Sequence, residues 1–239
     1  MSSTSTDGQR KARAALLVLA AGAAVLVVIV VVLAYALLRD APADTTATPT
    51  PPAPSSQPSV AADVTWEPVA GVKLPVSRTH GPRQTANGQA AGFSDSELGA
   101  ALAAVHILVR TGANVGPSIF EPTITQQITG TNAAAMKVLT DQQYQRLRAA
   151  AGIEDGDPLP GGNAEVLGYR IEAFADDAAT IEVGMTSPDL AGQVLVFTVA
   201  MQRAGEDWQV IAPPRGDWGA ATTALSAAPE GMLPYGEGD

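Results

Sequence analysis

The hydrophobic pattern of the chain begins with residues 14–38, twenty-five consecutive positions without a charged side chain. A helix rises about 1.5 Å per residue, so this segment is about 37 Å long, enough to cross a hydrocarbon core of about 30 Å with some tilt. Three of the residues at 10–13 are basic, whereas Arg39 at the far end is followed by an aspartate. Because positive flanks stay in the cytoplasm, the sequence predicts one transmembrane helix, with the rest of the chain outside the cell membrane.

A cleaved signal peptide is the alternative interpretation of this segment. Residues 34–36 and 41–43 both fit the small-x-small pattern of a cleavage site. The apolar stretch is much longer than the ~7–15 residues that signal peptides use. The chain also contains no cysteine, which excludes lipoprotein processing. We therefore expect a retained anchor over 14–38, preceded by a basic cytoplasmic stub over 1–13.

Two segments lack the periodicity of a folded domain. Residues 39–62 are rich in proline, alanine, threonine and serine, a composition that buries no core and predicts an extended stalk. Residues 222–239 show little periodicity and several glycines and prolines, which predicts a flexible C-terminal tail. The folded extracytoplasmic domain is thereby expected over 63–221.

Helical spacing dominates the first half of that domain. Residues 66–92 have no clear period and many glycines and prolines, so we expect irregular structure there. A capping box over 94–97, followed by apolar residues at helical spacing and a terminal glycine, predicts a helix over 95–111. Two shorter helical stretches are expected over 132–139 and 140–151, the second with its own cap.

The last third of the chain changes to alternating periodicity. Apolar side chains occupy every second position over 167–173, 179–185, 195–201 and 208–212. Short acidic or glycine-containing connections separate neighbouring runs, which predicts antiparallel strands. Helices followed by an antiparallel meander indicate an α+β fold, in which the helices cover the apolar face of a curved sheet.

Charge and composition exclude several functions. The chain has 14 basic and 24 acidic side chains, and residues 41–239 alone carry a net charge of −12. This field repels a phosphate backbone, so we expect no nucleic-acid partner. The absence of cysteine removes disulfides, thiolate metal ligands and cysteine nucleophiles together.

The ionisable residues suggest little site chemistry. His106 falls near the edge of the apolar stripe of the first helix, where a packed histidine with one satisfied nitrogen is expected rather than a ligand. His80 lies in a glycine-proline loop and is expected to be exposed. Two histidines in the chain are too few for a three-histidine zinc site. Glu154, Asp155 and Asp157 lack the spacing of a calcium loop, so we interpret them as a solvated acidic turn.

Enzyme-like side chains occur once along the predicted sheet. Tyr169, Arg170 and Glu172 are types found in catalytic cavities, but Arg170 and Glu172 alternate away from the apolar row, which favours a surface pair. The sequence contains no Gly-x-Ser-x-Gly elbow and no phosphate-binding loop. We therefore predict no catalytic residue, no metal site and no cofactor.

Aromatic residues are the better candidates for contacts. Trp66, Trp218 and the adjacent run 215–217 have the types that anchor protein interfaces. The alternative is that both tryptophans close the ends of a core that has few other aromatic residues.

The order of the elements resembles a known superfamily. Helices followed by a long antiparallel meander, over residues 64–220, are similar to the cone-shaped fold of the nuclear transport factor 2 superfamily. A stub, one membrane helix and such a domain resemble the inner-membrane scaffold subunits of type IV secretion systems and the TcpC-type proteins of Gram-positive conjugative elements. Residues 81–110 also resemble membrane proteins carried by integrative elements of high-GC Gram-positive bacteria. The segments 121–130 and 152–163 depart from this pattern.

This resemblance implies a scaffold that binds other proteins of a conjugation or type IV secretion-like envelope complex, or copies of itself. Two alternatives stay open, namely an accessory membrane protein of a lipid-import system and an exported small-molecule binder or isomerase that uses the cavity of the cone. The expected location is the cell membrane, with a single pass, the N-terminus in the cytoplasm and the domain outside.

Overall fold

The computed structural model of the protein describes residues 63–157, 159 and 164–236. The stub, transmembrane helix and stalk predicted over 1–62 lie outside the described residues. Among the described residues, no helix is both long enough and apolar enough to cross a bilayer.

Two β-hairpins open the domain where the sequence predicts irregular structure. Their strands are β1 (Val64–Val69), β2 (Val72–Ser77), β3 (Gln84–Ala86) and β4 (Gln89–Ala91). β1 pairs antiparallel with β2, and β3 with β4. Each hairpin closes through two residues with positive φ, Ala70-Gly71 and Asn87-Gly88, the type I′ geometry that matches the twist of paired strands. The prediction for 66–92 is therefore wrong, because β3 and β4 have only three residues each and a proline lies inside both β1 and β2, where it argues against a strand.

Three helices follow the hairpins, namely α1 (Glu97–Arg110), α2 (Pro117–Gln127) and α3 (Ala133–Ala151). α1 confirms the helix predicted over 95–111, with its N-cap at Ser96 rather than Ser94. The Ser96 hydroxyl accepts a hydrogen bond from the Gly99 amide at 3.1 Å, which satisfies a free amide of the first turn. Every residue of α1 from Gly99 to Arg110 is buried, so this helix forms the centre of the core.

α2 and α3 differ from the prediction in extent. The sequence predicts no element over 121–130, yet this segment contains the second half of α2. Pro122 lies inside α2 and interrupts its helical pattern. α3 is one continuous helix rather than two stretches over 132–139 and 140–151. Gly152 ends it with a φ of 67°, a left-handed conformation that glycine adopts without a Cβ clash, so the predicted stop is confirmed.

A six-stranded sheet supports the helices. Its strands are β5 (Ile128–Thr129), β6 (Glu165–Phe174), β7 (Ala178–Thr186), β8 (Val194–Ala204), β9 (Asp207–Ile211) and β10 (Thr222–Leu225). Their order is β5-β9-β8-β7-β6, and β10 pairs with the first part of β8 while β9 pairs with the last part. Every pair is antiparallel except β5 with β9. The predicted meander and the α+β class, with helices on a curved sheet, are confirmed.

One face of this sheet packs against α1. Alternate residues of β7 from Ala179 to Met185 are buried in a single row. β6 has two breaks in its register with β7, so its apolar row differs from the predicted one. Leu167 is exposed, whereas Val166 and Tyr169 pack on the core.

Residues 226–236 form a C-terminal strap that crosses the face of the sheet opposite α1. Met232 of the strap lies against Gly184 in β7. At the edge of β6, the backbones of Leu233 and Tyr169 exchange two hydrogen bonds, of 2.8 and 2.7 Å. The strap thereby wraps around the free edge of β6, which protects this edge from pairing with another chain.

The strap ends inside the core. Tyr235 is buried, its ring lies 4.7 Å from that of Tyr169, and its hydroxyl donates to the Ala101 carbonyl of α1 at 3.0 Å. The sequence prediction of a flexible tail over 222–239 is corrected for residues 222–236, because β10 and a single buried tyrosine hold them without any periodic pattern.

Two glycines make room for the strap. Gly168 and Gly184 are direct partners across β6 and β7. A Cβ atom at Gly168 would collide with the Leu233 carbonyl oxygen, and one at Gly184 with the Met232 thioether. We expect Gly168→Ala to lower the free energy of unfolding by about 1–3 kcal/mol, because the strap backbone must move. Gly184→Ala is expected to cost less, because a methionine side chain adapts. Urea denaturation measures both.

Met232→Ala is the control for this pair of substitutions. Combined with Gly184→Ala, it should remove most of the extra cost of the added methyl group, whereas it should not rescue Gly168→Ala. An equal loss of unfolding free energy at both glycines, with no rescue of either by Met232→Ala, would show that the strap does not pack against Gly168 and Gly184.

Candidate functional site

His106 is buried on the side of α1 that faces β2. Its Nε2 lies 2.8 Å from the Pro75 carbonyl oxygen, so Nε2 carries the proton and donates it. Its Nδ1 is buried and has no hydrogen-bond partner among the described residues. The ring of Phe93 packs 5.6 Å from the imidazole. As the sequence predicts, His106 is a packed histidine with one satisfied nitrogen.

His80 is held in place rather than exposed. Its Nδ1 lies 3.0 Å from both the Ser94 and Ser96 hydroxyl oxygens. Nearby, the Asp63 carboxylate accepts a hydrogen bond from the Thr79 amide at 2.9 Å. Hydrogen bonds from Thr79, with others from the same loop, lower the pKa of Asp63 to about 2. The loop that carries His80 therefore fixes the start of α1, and the expectation of an exposed histidine is corrected.

The acidic turn after α3 is engaged in local contacts. Asp155 forms an ion pair with Arg148 at 3.2 Å, and the Tyr144 hydroxyl donates to the Asp157 carbonyl at 2.8 Å. Glu154 is exposed. Across residues 63–157, 159 and 164–236, no group of three or more His, Cys, Asp or Glu residues is arranged to hold a metal ion. The turn anchors the end of α3.

The enzyme-like residues of β6 lie on opposite faces of the sheet. Arg170 forms ion pairs of 2.7 Å with Glu172 and with Glu182, its cross-strand partner in β7. Tyr169 points to the other face, where its ring contacts Tyr235. Burial raises the pKa of Tyr169. The sheet thus separates the tyrosine from the charged pair, and these residues do not converge on one reaction centre.

The two candidate tryptophans are partly buried. Trp66 packs against the core. Trp218 donates from Nε1 to the Thr111 hydroxyl at 3.0 Å, and its ring meets that of Phe197 edge-on at 6.4 Å. Arg215 is exposed, with a φ of 59°, in the loop between β9 and β10. Trp218 is therefore fixed by the core while it stays accessible from outside.

α3 exposes three large aliphatic side chains. Val138, Leu139 and Leu147 are 53%, 39% and 43% exposed. Among the described residues, the other exposed large apolar side chains are Leu167 and Ile211, which lie apart from each other on the sheet. The concentration on one helix distinguishes α3 from the rest of the described surface.

Leu139 opens onto a groove of about 380 Å³ between α3 and the loop 216–219, which we name the α3 groove. Trp218 and Arg146 line the same groove. Arg146 donates to the Gln142 carbonyl at 3.2 Å, and its guanidinium forms no ion pair within the part of the chain that the structure describes. The Asp217 carboxylate lies in the same groove, so the groove holds one basic and one acidic side chain. Leu139 and the indole of Trp218 are its large apolar groups, and they are suited to contact an apolar protein segment.

Two charged residues stand out in the structure although their sequence positions give no signal. The Asp207 carboxylate accepts hydrogen bonds from the Gly92 and Phe93 amides at 2.7 and 3.2 Å, which ties the β8–β9 turn to the segment before α1. Arg110, the last residue of α1, is 5% exposed. Its position at a helix C-terminus looks like ordinary complementarity to the helix dipole.

The fold places the protein in the class of α+β domains, with helices packed on one face of a mainly antiparallel sheet. Residues 35–230 match a family that is described as a domain of unknown function (DUF8175). Because this match covers most of the chain, the protein belongs to that family. Neither the curated proteins nor the solved structures contain a match to the chain.

The burial of His106 predicts a pH dependence of stability. Burial, with a smaller contribution from the charge of Arg110, lowers the pKa of His106 to about 3, against about 6.5 when unfolded. Between these values the unfolded chain binds more protons, so stability falls as the pH drops. We expect His106 to contribute a loss of up to about 1.4 kcal/mol per pH unit below about pH 6.

His106→Gln tests this contribution, because the amide can still donate to the Pro75 carbonyl. Urea denaturation of both proteins between about pH 7 and about pH 5 gives the difference in stability. The variant should gain relative to the parent as the pH falls. A difference that stays constant over this range would show that the imidazole has the same pKa in the folded domain and in the unfolded chain.

Proposed function

We propose that this protein is a single-pass membrane protein whose extracytoplasmic domain binds other proteins, as a scaffold of a conjugation or type IV secretion-like envelope complex. The observation that carries protein binding is the exposure of Leu139 and Leu147 on α3, beside a groove that holds Trp218. Exposed aliphatic side chains around an aromatic anchor are typical of protein interfaces. The uncharged run over 14–38 supports the membrane anchor.

Large side chains fill the space between α1 and the sheet, which favours a domain that binds proteins on its surface over an enzyme with an internal cavity. Trp208 and Tyr235 are both 1% exposed there. The Tyr235 hydroxyl is engaged by the Ala101 carbonyl, and burial raises its pKa well above the usual range. A tyrosine hydroxyl that is buried and already hydrogen-bonded is poorly placed to serve as an acid or base for a small-molecule substrate, which favours protein binding over the isomerase alternative.

The same packing supports a cone-shaped domain of the nuclear transport factor 2 type. In such a domain, helices close one face of a curved antiparallel sheet. Here α1 lies against β6, β7, β8 and β9 on a single face. The scaffold subunits that the chain resembles display a domain of this kind on one membrane helix, and this likeness supports the envelope context of the proposal.

The apolar side chains of the groove, rather than its charges, indicate its partner. Lys137 on α3 is paired with Glu121 and Asp141 at 3.2 and 3.3 Å, and Arg148 is paired with Asp155. Arg146 forms no ion pair with any described residue, but the Asp217 carboxylate lines the same groove, so the charges of the groove balance. We therefore assign the α3 groove to an apolar segment, supplied by another protein of the complex, that contacts Leu139 and Trp218.

Crosslinking of the full chain in its native membrane tests the α3 groove. We expect co-purification of envelope proteins, and we expect Leu139→Glu to reduce their recovery by about tenfold or more, because this change places a carboxylate in an apolar contact of the groove. Mass spectrometry of the crosslinked material measures the recovery.

Leu167→Glu is the matched control, because Leu167 is 37% exposed on β6 and lies away from α3. This variant should keep all partners. Recovery of secretion ATPases and channel subunits supports the scaffold, and recovery of lipid-transport components supports the lipid-import alternative. Capture of a second copy alone would make the groove a self-association surface, and equal recovery with all variants would contradict its role.

The predicted orientation in the membrane is tested by cysteine labelling, which needs no prior removal of native thiols because the chain has none. Asp176→Cys places a thiol in the exposed turn between β6 and β7, and Ser5→Cys places one in the N-terminal stub. An impermeant maleimide applied to intact cells should label the first variant and reach the second only after lysis. Labelling of both on intact cells, or of neither, would contradict the proposed topology.

A further inference from the structure

Arg110 carries a buried charge that has no hydrogen-bond or ion-pair partner among the described residues. It is 95% removed from solvent by the fold, with 5% of its surface exposed. Its Nη1 has no hydrogen-bond partner, and its guanidinium forms no hydrogen bond or ion pair with any residue that the structure describes. Burial lowers the pKa of Arg110 to about 10, and the charge of Glu67 opposes this shift. A guanidinium taken out of water in this way is strongly unfavourable unless an anion joins it.

The side chain of Arg110 lines a cavity of about 320 Å³ between the tips of the two hairpins and α2. Its walls combine apolar and hydrogen-bonding side chains. The apolar ones include Val69 and Ile119, and the polar ones include Thr85, Asn87 and Gln89. A small pocket of mainly neutral groups around one charge is the usual form of a ligand site.

The wall of this cavity is fixed in advance. The Thr123 hydroxyl donates to the Gly88 carbonyl at 3.3 Å, and Gln89 Nε2 donates to the Pro122 carbonyl at 3.2 Å. A Cβ atom at Gly88 would collide with the backbone at Ile119, so only glycine brings the tip of the hairpin this close to α2. A preformed wall lowers the entropy that a ligand must overcome.

We propose that this cavity binds a carboxylate group on a small apolar body, with Arg110 as its counter-ion. The planar fork of a guanidinium matches a carboxylate through two parallel hydrogen bonds. One buried cation balances one negative charge, so a monoanion fits better than a phosphate dianion. The neighbouring Val69 and Ile119 side chains would contact the apolar body of the ligand. This inference uses a different surface from the α3 groove and does not rest on the proposed function.

Two sources supply a carboxylate of this kind, a free small acid and the C-terminus of a peptide. Butyrate represents the first, and N-acetylvaline represents the second. Butyramide and N-acetylvalinamide keep the same bodies without the charge, and inorganic phosphate tests the anion class.

The test uses the full chain in a neutral detergent, with thermal unfolding followed by tryptophan fluorescence and binding by calorimetry. A carboxylate at about a hundredfold excess over its Kd should raise Tm by about 5 °C. The matching amide should leave Tm unchanged, and phosphate should bind more weakly than the better carboxylate. The stronger of the two carboxylates identifies the source. No shift with either acid, equal shifts with the amides, or tighter binding of phosphate would overturn the proposal.

Arg110→Met separates binding from structure. Because the buried charge has no partner, this variant should unfold at the same or a higher temperature while its affinity for the carboxylate falls at least about tenfold. Arg78→Met is the matched control, since Arg78 is exposed beyond the other end of the β1–β2 hairpin. It should keep the affinity of the parent.

Thr85→Trp gives a second route if the Arg110 variant does not fold. Thr85 is exposed on β3 and lines the cavity, so an indole there should block entry and abolish the shift in Tm without disturbing the core. Unchanged binding in either folded variant would show that the carboxylate binds elsewhere.

Discussion

The burial of α1 is the constraint on which the rest of the domain depends. Its alanine-rich surface lets the sheet, the first hairpin and the strap approach from different sides. Each approaching element makes a polar contact with this helix or its flanks. The first hairpin does so through Pro75 with His106, the strap through Tyr235 with the Ala101 carbonyl, and the sheet through the Trp208 indole with the Ser94 carbonyl. The buried alanines lie in the first half of α1, so the large side chains that pack there, such as Tyr235, come from neighbouring elements and determine how these elements are positioned on the helix.

This central helix also explains the unusual electrostatics of the domain. His106 and Arg110 are one turn apart on α1, and both are buried. The imidazole avoids the cost of burial by staying neutral. A guanidinium titrates far too high to do the same, so Arg110 keeps its charge at the end of the helix. His106 is thus buried as a neutral ring, whereas Arg110 is buried as a cation. Only the buried cation would be stabilised by binding an anion.

The sequence predicts those parts of the fold that have a regular period. α1 and the strands β6 to β9 follow from helical or alternating apolar positions. Prolines inside β1 and β2 and the three-residue length of β3 and β4 leave no clear alternation over 66–92. Pro122 interrupts the helical pattern of α2, and the strap is held by contacts distant in sequence, such as that of Tyr235 with Ala101. The candidate surfaces show the same division. Trp218 can be chosen from the sequence as a contact residue because of its type. Leu139 and Arg110 have types that are common in helices, and only the packing shows that Leu139 is exposed and Arg110 is buried.

The two candidate surfaces meet at the C-terminal end of α1. Arg110 lines the cavity between the hairpin tips, and Thr111 lines the α3 groove, where its hydroxyl receives the hydrogen bond from Trp218. A single peptide bond joins these residues, so a ligand that fixes the Arg110 side chain acts on the same helix end that positions the indole. Thermodynamic linkage makes any such coupling reciprocal. If the bound anion raises the affinity of the groove for its protein partner, the bound partner raises the affinity of the cavity for the anion by the same factor.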